Sequence, residues 1–331
     1  MKQHKSKPLF SDCRALLTFG LFALLFSCRP DHSIAFDPLD IEFSKDTIYL
    51  DTVFNSTGSS TRSFTIRNKS DQNILLDKIK LGMGDDSPFR FNVNGLHGVE
   101  VNDIVLPASD SLWVFIELTS PPGALEMLWT DSLIFTNKGL SNDVKLISLA
   151  YDAHFHFPNK IYTIKRNPPL TNIEIPYSIV PSNSTWSNDK PHVVYGYVVI
   201  DSGSSLEIMK EASIHFHSGS GLWVASGGIL HVDKDNTGSY SNPVVFEGDR
   251  LEPFYSNIAG QWGGLLGGIF IQRGSKVKIN NAWIKNGTIG IRCDSIGELE
   301  ESNLLIRNTR ITDFSRVSIY SGFGNIKMEN V

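Results

Sequence analysis

The chain has 331 residues, of which 41% are hydrophobic and 20% are charged, as expected of a globular protein of about two domains with a buried core. Its formal charge is −5, and the first 27 residues contribute +3, so the remainder carries −8 and does not favour nucleic acid as a partner. The three cysteines are Cys13, Cys28 and Cys293. This small number excludes a disulfide framework as the main stabilising element, and the apolar surroundings of Cys293 predict a packing role for it.

Residues 1–27 have the pattern of a secretory signal peptide. Residues 1–14 are rich in basic side chains, and residues 15–26 form a continuous apolar stretch. That stretch is shorter than the ~18–20 residues that a helix needs to span a bilayer, and it matches the apolar core of a signal peptide. The sequence therefore predicts an exported protein.

The apolar stretch ends in Leu25-Phe26-Ser27-Cys28, which resembles the lipobox of bacterial lipoproteins. The resemblance implies cleavage before Cys28, lipidation of Cys28, and anchoring in a membrane through the attached acyl chains. Arg29, rather than an aspartate, follows the cysteine. In that family this implies the bacterial outer membrane, on its periplasmic face or at the cell surface. Residues 28–40 are predicted to form a short lipidated tether.

Residues 41–157 show the two-residue period of β-strands that pack on a core. Residues 62–67 alternate in polarity, and residues 112–118 place four apolar side chains on one face of another strand. Several short antiparallel strands without a Cys–Trp–Cys signature predict a β-sandwich. The pattern, with its turn at residues 106–111, resembles the Ig-like modules of Bacteroidota surface lipoproteins, which implies a spacer or interaction domain.

A proline-rich connector, residues 158–196, separates the predicted sandwich from residues 197–331, which have a different sequence pattern. Short apolar pieces recur there between Gly, Ser, Asn and Asp, and they bury a common interior if they stack as the rungs of a solenoid. The pattern of Asn281–Asn286 recurs 27 residues later at Asn308–Asp313, and Asn330 follows Asn308 by 22 residues. Asparagine at a repeated corner satisfies backbone groups of the turn.

These repeats, together with Gly227-Gly228-Ile229-Leu230 and Gly260-Gln261-Trp262-Gly263-Gly264, resemble the right-handed parallel β-helix of the pectin-lyase-like superfamily. The resulting fold class is all-β, with an Ig-like β-sandwich followed by a right-handed parallel β-helix. β-helices include lyases, hydrolases, adhesins and stalks, so the resemblance implies a fold and not a chemistry. A solenoid needs a cap at each end, and the sequence stops in mid-rung at Met328–Val331, so we expect an incomplete β-helix there.

Two His-x-His motifs are candidate metal ligands. His154-Phe155-His156 and His215-Phe216-His217 each place two imidazoles on one side of a strand, a spacing that can bind zinc. Neither motif has an apparent third ligand, and the histidines are surface residues if the phenylalanines face the core. Asp233–Gly238 is similar to a calcium loop, but Val244 stands where the bidentate glutamate belongs, so we interpret it as a turn. No metal site and no cofactor is predicted.

Three neighbouring carboxylates are candidates for acid–base chemistry on glycans: Glu247, Asp249 and Glu252. The sequence gives no separation between them, and an acidic surface is the alternative interpretation. A nucleophile elbow, a phosphate loop and a dinucleotide fingerprint are all missing from the sequence. No catalytic residue is therefore assigned.

Trp223 and Trp283 are the candidate ligand-binding residues. Each lies between apolar residues that face inward, so both indoles are predicted to point outward, where they suit stacking on sugars. The alternative is that a neighbouring loop or the first domain covers them. Trp262, framed by glycines, is predicted to be a turn or packing residue.

Three functional hypotheses follow. The first is a non-catalytic, lipid-anchored envelope protein with a binding or structural role, such as adhesion to a polysaccharide or a surface. The second is a carbohydrate-active enzyme, a polysaccharide lyase or glycosidase, whose catalytic coils lie partly beyond residue 331. The third is a stalk without a ligand. Convergent carboxylates with a raised pKa favour the enzyme, and an aromatic-lined face favours the binder.

Overall fold

A computed structural model describes residues 40–55, 57–121, 128–294, 304–322 and 324–331. The predicted signal peptide, Cys28 and all but the last residue of the tether lie outside the described residues. The described residues form β-strands with short 3-10 turns and contain no α-helix. In those parts of the chain, no helix has the length and apolar character needed to cross a membrane.

The N-terminal half consists of two sheets. The five-stranded sheet has the order β1-β4-β9-β6-β7, and its strands are β1 (Ile41–Phe43), β4 (Arg62–Asn68), β6 (Phe89–Val93), β7 (Leu96–Gly98) and β9 (Ser111–Leu118). The six-stranded sheet has the order β2-β11-β10-β5-β8, with β3 paired to β11. Its strands are β2 (Thr47–Tyr49), β3 (Val53–Phe54), β5 (Ile74–Leu81), β8 (Glu100–Leu106), β10 (Leu128–Asn137) and β11 (Leu140–Tyr151). All pairings are antiparallel except those of β2 and β3 with β11.

Strand β9 shows why this half folds as two layers. Val114, Ile116 and Leu118 are fully buried, and Leu112 packs against the same core, while the residues between them face outward. The predicted two-residue period is therefore confirmed. Apolar side chains from both sheets form one continuous core, which includes the edge-to-face pair of Phe64 and Phe135.

The C-terminal half consists of three sheets in which neighbouring strands are parallel, apart from one antiparallel hairpin at the start of the second sheet. The first parallel sheet contains β12 (His154–His156), β16 (His192–Val194), β19 (Ser213–Phe216), β22 (Val244–Gly248), β25 (Ala282–Lys285) and β28 (Arg310–Thr312). The second contains β13 (Lys160–Ile164), β14 (Ile173–Ile179), β17 (Tyr197–Ile200), β20 (Gly221–Val224), β23 (Ile269–Ile271), β26 (Ile289–Cys293) and β29 (Val317–Ser321). The third contains β15 (Ser184–Trp186), β18 (Ser205–Ile208), β21 (Ile229–Val232), β24 (Lys276–Asn280), β27 (Leu304–Arg307) and β30 (Ile326–Glu329).

From β14 to β27, each strand pairs with the strand three positions later in the sequence. Only β13 and β14 form an antiparallel hairpin among the described strands of this half. The segment predicted as a connector, residues 158–196, contributes strands β13–β16 to the three sheets. Two of these strands, β15 and β16, have only three residues each, and Pro176 lies within β14.

The three parallel sheets enclose one apolar interior. Side chains from all three belong to a single buried cluster, and Phe216 stacks on Trp262 with a centroid distance of 4.2 Å. Trp262 is 1% exposed and its indole donates a hydrogen bond to the Lys285 carbonyl at 2.8 Å, so its predicted packing role is confirmed.

The predicted 27-residue register is confirmed by the pairing of β25 with β28. Trp283 lies opposite Arg310. Asn281 and Asn308, at the corners just before these strands, have φ values of 48° and 47°, the left-handed conformation that asparagine tolerates. At the next corner, the Asn330 amide donates a hydrogen bond to the Asn308 side-chain oxygen at 2.9 Å.

Candidate functional site

The outer face of the first parallel sheet brings together side chains that are far apart in the sequence. His215 lies opposite Glu247 in the β19–β22 pair, with Nδ1 3.7 Å from Oε1. Lys285 Nζ, on β25, is 2.7 Å from the other Glu247 oxygen. The Phe54 ring of the N-terminal half covers His215 at a centroid distance of 4.9 Å. This inner column (His215, Glu247, Lys285) is therefore largely buried where the two halves meet, and burial lowers the pKa of His215.

A second set of polar contacts lies beside the inner column. His217 Nδ1 is 2.7 Å from Asp249 Oδ2, and the Tyr195 ring stacks on the imidazole at 4.6 Å. Arg250 binds both Glu252 oxygens, the shortest contact being 2.6 Å. Burial raises the pKa of Glu252, but hydrogen bonds to its carboxylate, above all from Arg250, outweigh burial and hold that pKa below its usual value. Each of these carboxylates thus has a basic partner.

Both histidines of the second His-x-His motif lie beside carboxylates, His215 next to Glu247 and His217 next to Asp249. Phe216 faces the interior as expected, but only His217 is an exposed histidine, because the N-terminal half covers His215. Within the described ranges, no group of three His, Cys, Asp or Glu side chains is arranged to hold a metal ion.

The first His-x-His motif has the opposite orientation to the one considered from the sequence. Phe155 stacks on Phe157 at 5.8 Å outside the interior, while His156 stacks on Trp186 at 4.3 Å. His156 Nε2 is also 3.0 Å from His192 Nδ1. Because β12 is the first strand of its sheet, these rings close the end of the interior. Burial lowers the pKa of both histidines to about 4.

Trp283 lies in a cleft on the same outer face, further along the sheet. The Arg310 guanidinium carbon is 5.1 Å from the centroid of the Trp283 ring and 5.0 Å from that of Tyr240. Arg310 Nη2 also donates a hydrogen bond to the Tyr240 hydroxyl at 2.6 Å. We call these three residues the aromatic cleft, whose cavity has a volume of about 120 Å³. Arg310 forms no ion pair with any residue in the described ranges.

Trp223 points away from the interior but is covered by neighbouring elements. Its ring contacts Tyr162 and Tyr177 of the β13–β14 hairpin, with centroid distances of 5.4 Å and 6.3 Å, and Phe270 at 5.9 Å. Its indole nitrogen is buried and bonds to no described residue. A ligand-binding role for Trp223 stays a prediction, and the covering hairpin argues against it.

The remaining candidates have structural roles. The Asp233 carboxylate accepts hydrogen bonds from the backbone amides of Thr237 and Gly238 and from the Asn281 amide, so it stabilises a turn as interpreted from the sequence. Cys293 is 1% exposed and belongs to the interior cluster, in agreement with a packing role.

Three residues of these sites were not among the candidates predicted from the sequence: Arg310, Tyr240 and Tyr195. Arg310 carried a usable signal, because the 27-residue repeat aligns it with Trp283. Tyr240 lies between β21 and β22, outside any strand, so no period could place it beside the tryptophan.

No family model and no curated protein matches the chain. A solved structure of a family 123 glycoside hydrolase from Clostridium perfringens is similar with a TM-score of 0.26 and 5% identity, over 33% of this chain and 25% of that chain. The ASH/PapD-like domain of human CEP192 is similar with a TM-score of 0.25 and 13% identity, over 37% of this chain and 93% of that one. The chain thus spans a quarter of the hydrolase. Neither likeness supports an argument about function.

Proposed function

We propose that this chain is a lipid-anchored protein of the bacterial outer membrane that binds an acidic polysaccharide through the aromatic cleft without cleaving it. The observation that supports the proposal is the guanidinium of Arg310, which is held between two aromatic rings and has no carboxylate partner in the described ranges. A positioned guanidinium is suited to the carboxylate of a uronic acid, since its parallel N–H groups match the two oxygens.

The aromatic rings supply the second part of the recognition. Tyr240 is 56% exposed, and Trp283 is partly exposed beside it. The C–H faces of a sugar ring pack on such rings while its hydroxyls stay in water. The −8 charge outside the predicted signal peptide opposes an acidic ligand at long range. At physiological ionic strength this repulsion is screened beyond about 8 Å, so the local guanidinium decides the preference.

In this proposal the three parallel sheets are the faces of a right-handed parallel β-helix, and the two-sheet half is an Ig-like spacer. The strands support the β-helix by entering the three sheets in turn and pairing with the strand three positions later. The lipobox-like sequence at Cys28 supports the anchor. A spacer between the anchor and the cleft would hold the binding face away from the membrane.

The pairing of the carboxylates favours binding over cleavage. A glycosidase needs a carboxyl group whose raised pKa keeps it protonated, next to a second carboxylate. Glu247 is bound to Lys285, Asp249 to His217, and Glu252 to Arg250, and the pKa of Glu252 is lowered. None of the three is placed as a general acid.

The test is affinity electrophoresis of the full chain in detergent, through gels cast with alginate or with neutral mannan, followed by staining for cleavage. We expect retardation by alginate only, abolished by Trp283→Ala and by Arg310→Gln. Trp113→Ala is the matched control, because Trp113 is exposed on the N-terminal half and far from the cleft in the sheet order. Equal retardation of the Trp283→Ala variant, or cleavage of either polymer, would overturn the proposal.

A further inference from the structure

A cavity beside an exposed aromatic ring lies on the outer face of the five-stranded sheet. Its volume is about 290 Å³, close to the lower end of the range of about 300–1,000 Å³ that is typical of small-molecule sites. Its lining includes Phe115 of β9, the central strand, together with Arg90, Asn92, His97 and Glu117. We call it the Phe115 cavity.

Two aromatic rings on this face are open to solvent. Trp113 is 58% exposed and Phe115 is 41% exposed. They are neighbours on the outward side of β9, with ring centroids 6.4 Å apart and ring planes 22° from parallel. The residues opposite them on β4 are Thr65 and Ser63, whose small side chains leave both rings standing above the sheet. Exposed apolar groups of this kind commonly mark a binding site.

The polar side chains of the cavity are held in position and can still form hydrogen bonds with a ligand. Arg90 Nη2 donates a hydrogen bond to the Thr119 hydroxyl, and Glu117 Oε1 accepts one from the Thr61 hydroxyl. Within the described ranges, the second Glu117 oxygen and both ring nitrogens of His97 have no hydrogen-bond partner. The cavity thus offers an acceptor and donors next to an open aromatic ring.

The charges of the cavity favour a neutral ligand. Arg90 and Glu117 lie opposite each other in the β6–β9 pair, and their formal charges cancel. An anion that is attracted by the guanidinium is repelled by the nearby carboxylate, and the reverse holds for a cation. A hydroxyl both donates and accepts, so it can bind to either group. A sugar carries such hydroxyls at its edge and apolar C–H groups on its faces, which pack on aromatic rings.

The presence of two rings in a row favours one kind of sugar chain. In a β-1,4-linked chain, successive sugars are turned over, so they present opposite faces to Trp113 and Phe115. All ring hydroxyls of glucose are equatorial, so both of its faces carry only C–H groups and can pack on an aromatic ring. In mannose the 2-hydroxyl is axial, so every second sugar of a β-1,4-mannan turns a hydroxyl towards one of the two rings.

We infer that the Phe115 cavity and the adjacent Trp113 ring bind a neutral β-1,4-linked glucan. This site is separate from the aromatic cleft and does not depend on the proposed binding of acidic polysaccharide there. With both sites occupied, the chain links a neutral polysaccharide to an acidic one.

The experiment is affinity electrophoresis of the full chain in detergent, through gels cast with hydroxyethyl cellulose or with alginate. We expect hydroxyethyl cellulose to retard the chain. Trp113→Ala and Phe115→Ala should each weaken that affinity about tenfold, because each removes one stacking surface. Tyr49→Ala is the matched control, since it removes an exposed aromatic ring from β2 of the six-stranded sheet and should leave the affinity unchanged.

Trp283→Ala separates the two sites, because it removes the aromatic cleft and should leave retardation by hydroxyethyl cellulose intact. Free cellotetraose should release the chain from the gel at a concentration about tenfold lower than free glucose, because only the longer sugar reaches both rings. Absence of retardation by hydroxyethyl cellulose would overturn the inference. Retardation that Trp113→Ala leaves unchanged, or that Tyr49→Ala weakens equally, would also overturn it.

Discussion

The Glu247 carboxylate neutralises Lys285 at the contact between the two halves. Glu247→Gln preserves the shape of the side chain but leaves the Lys285 ammonium, whose side chain is 9% exposed, without the partner at 2.7 Å. Breaking a buried pair from one side costs about 3–5 kcal/mol, and because Glu247 is 21% exposed we expect about 3 kcal/mol. At about 2–4 °C per kcal/mol, the midpoint of thermal unfolding should fall by roughly 6–12 °C.

The assay is urea unfolding at pH 7, followed by tryptophan fluorescence and checked by scanning calorimetry. Replacing both partners, as Glu247→Leu with Lys285→Met, should restore stability to within about 1 kcal/mol, because the uncompensated charge is gone. Glu207→Gln is the control, since the Glu207–Lys234 pair is 3.9 Å apart and well exposed, and its loss should leave the midpoint unchanged. Equal losses in Glu247→Gln and Glu207→Gln, or a double variant as unstable as Glu247→Gln, would refute the reasoning.

Three further predictions follow from other parts of the molecule. Phe216→Ala should lower the free energy of unfolding by about 3–5 kcal/mol in urea titrations, because this fully buried ring stacks on Trp262; a loss below about 1 kcal/mol would contradict the interior described. Burial lowers the pKa of His156 and His192 from 6.5 to about 4, so as the pH is lowered the unfolded chain binds protons before the folded chain does. The temperature of the unfolding midpoint should therefore decrease as the pH is lowered from 6.5 to about 4. His192→Gln should make the thermal midpoint depend less on pH. An unchanged dependence on pH would argue against the burial of neutral His192. Cys28→Ser should abolish metabolic labelling with palmitate and release the chain from the membrane fraction, whereas a labelled, sedimenting variant would count against the anchor.

Much of the fold could be predicted because its strands and its repeats leave regular patterns of apolar and asparagine residues in the sequence. The two-residue alternation of β9 and the 27-residue repeat that pairs Trp283 with Arg310 are both visible in the sequence. Strands β15 and β16 could not be predicted, since strands of three residues show no period of their own. Strand β14 was hidden for another reason, because Pro176 in its middle argues against a strand in the sequence. Their place depends on pairing with strands far away in the chain.

The candidate sites were harder to predict for a related reason. The residues between β21 and β22 lengthen that turn of the chain, so the partnership of His217 with Asp249, 32 residues later, follows no regular repeat. The outward orientation of Trp223 was predictable from Leu222 and Val224, but the hairpin that covers it was not. Burial of an outward side chain depends on what packs on the sheet, which a strand's own pattern does not encode.

Binding of an acidic polysaccharide in the aromatic cleft is tested most directly by a crystal structure of the full chain grown with an oligosaccharide of mannuronic acid. We expect a sugar ring packed against Trp283 and Tyr240, with its carboxylate on the guanidinium of Arg310. A well-occupied sugar elsewhere on the molecule, with the aromatic cleft unchanged and unliganded, would contradict it.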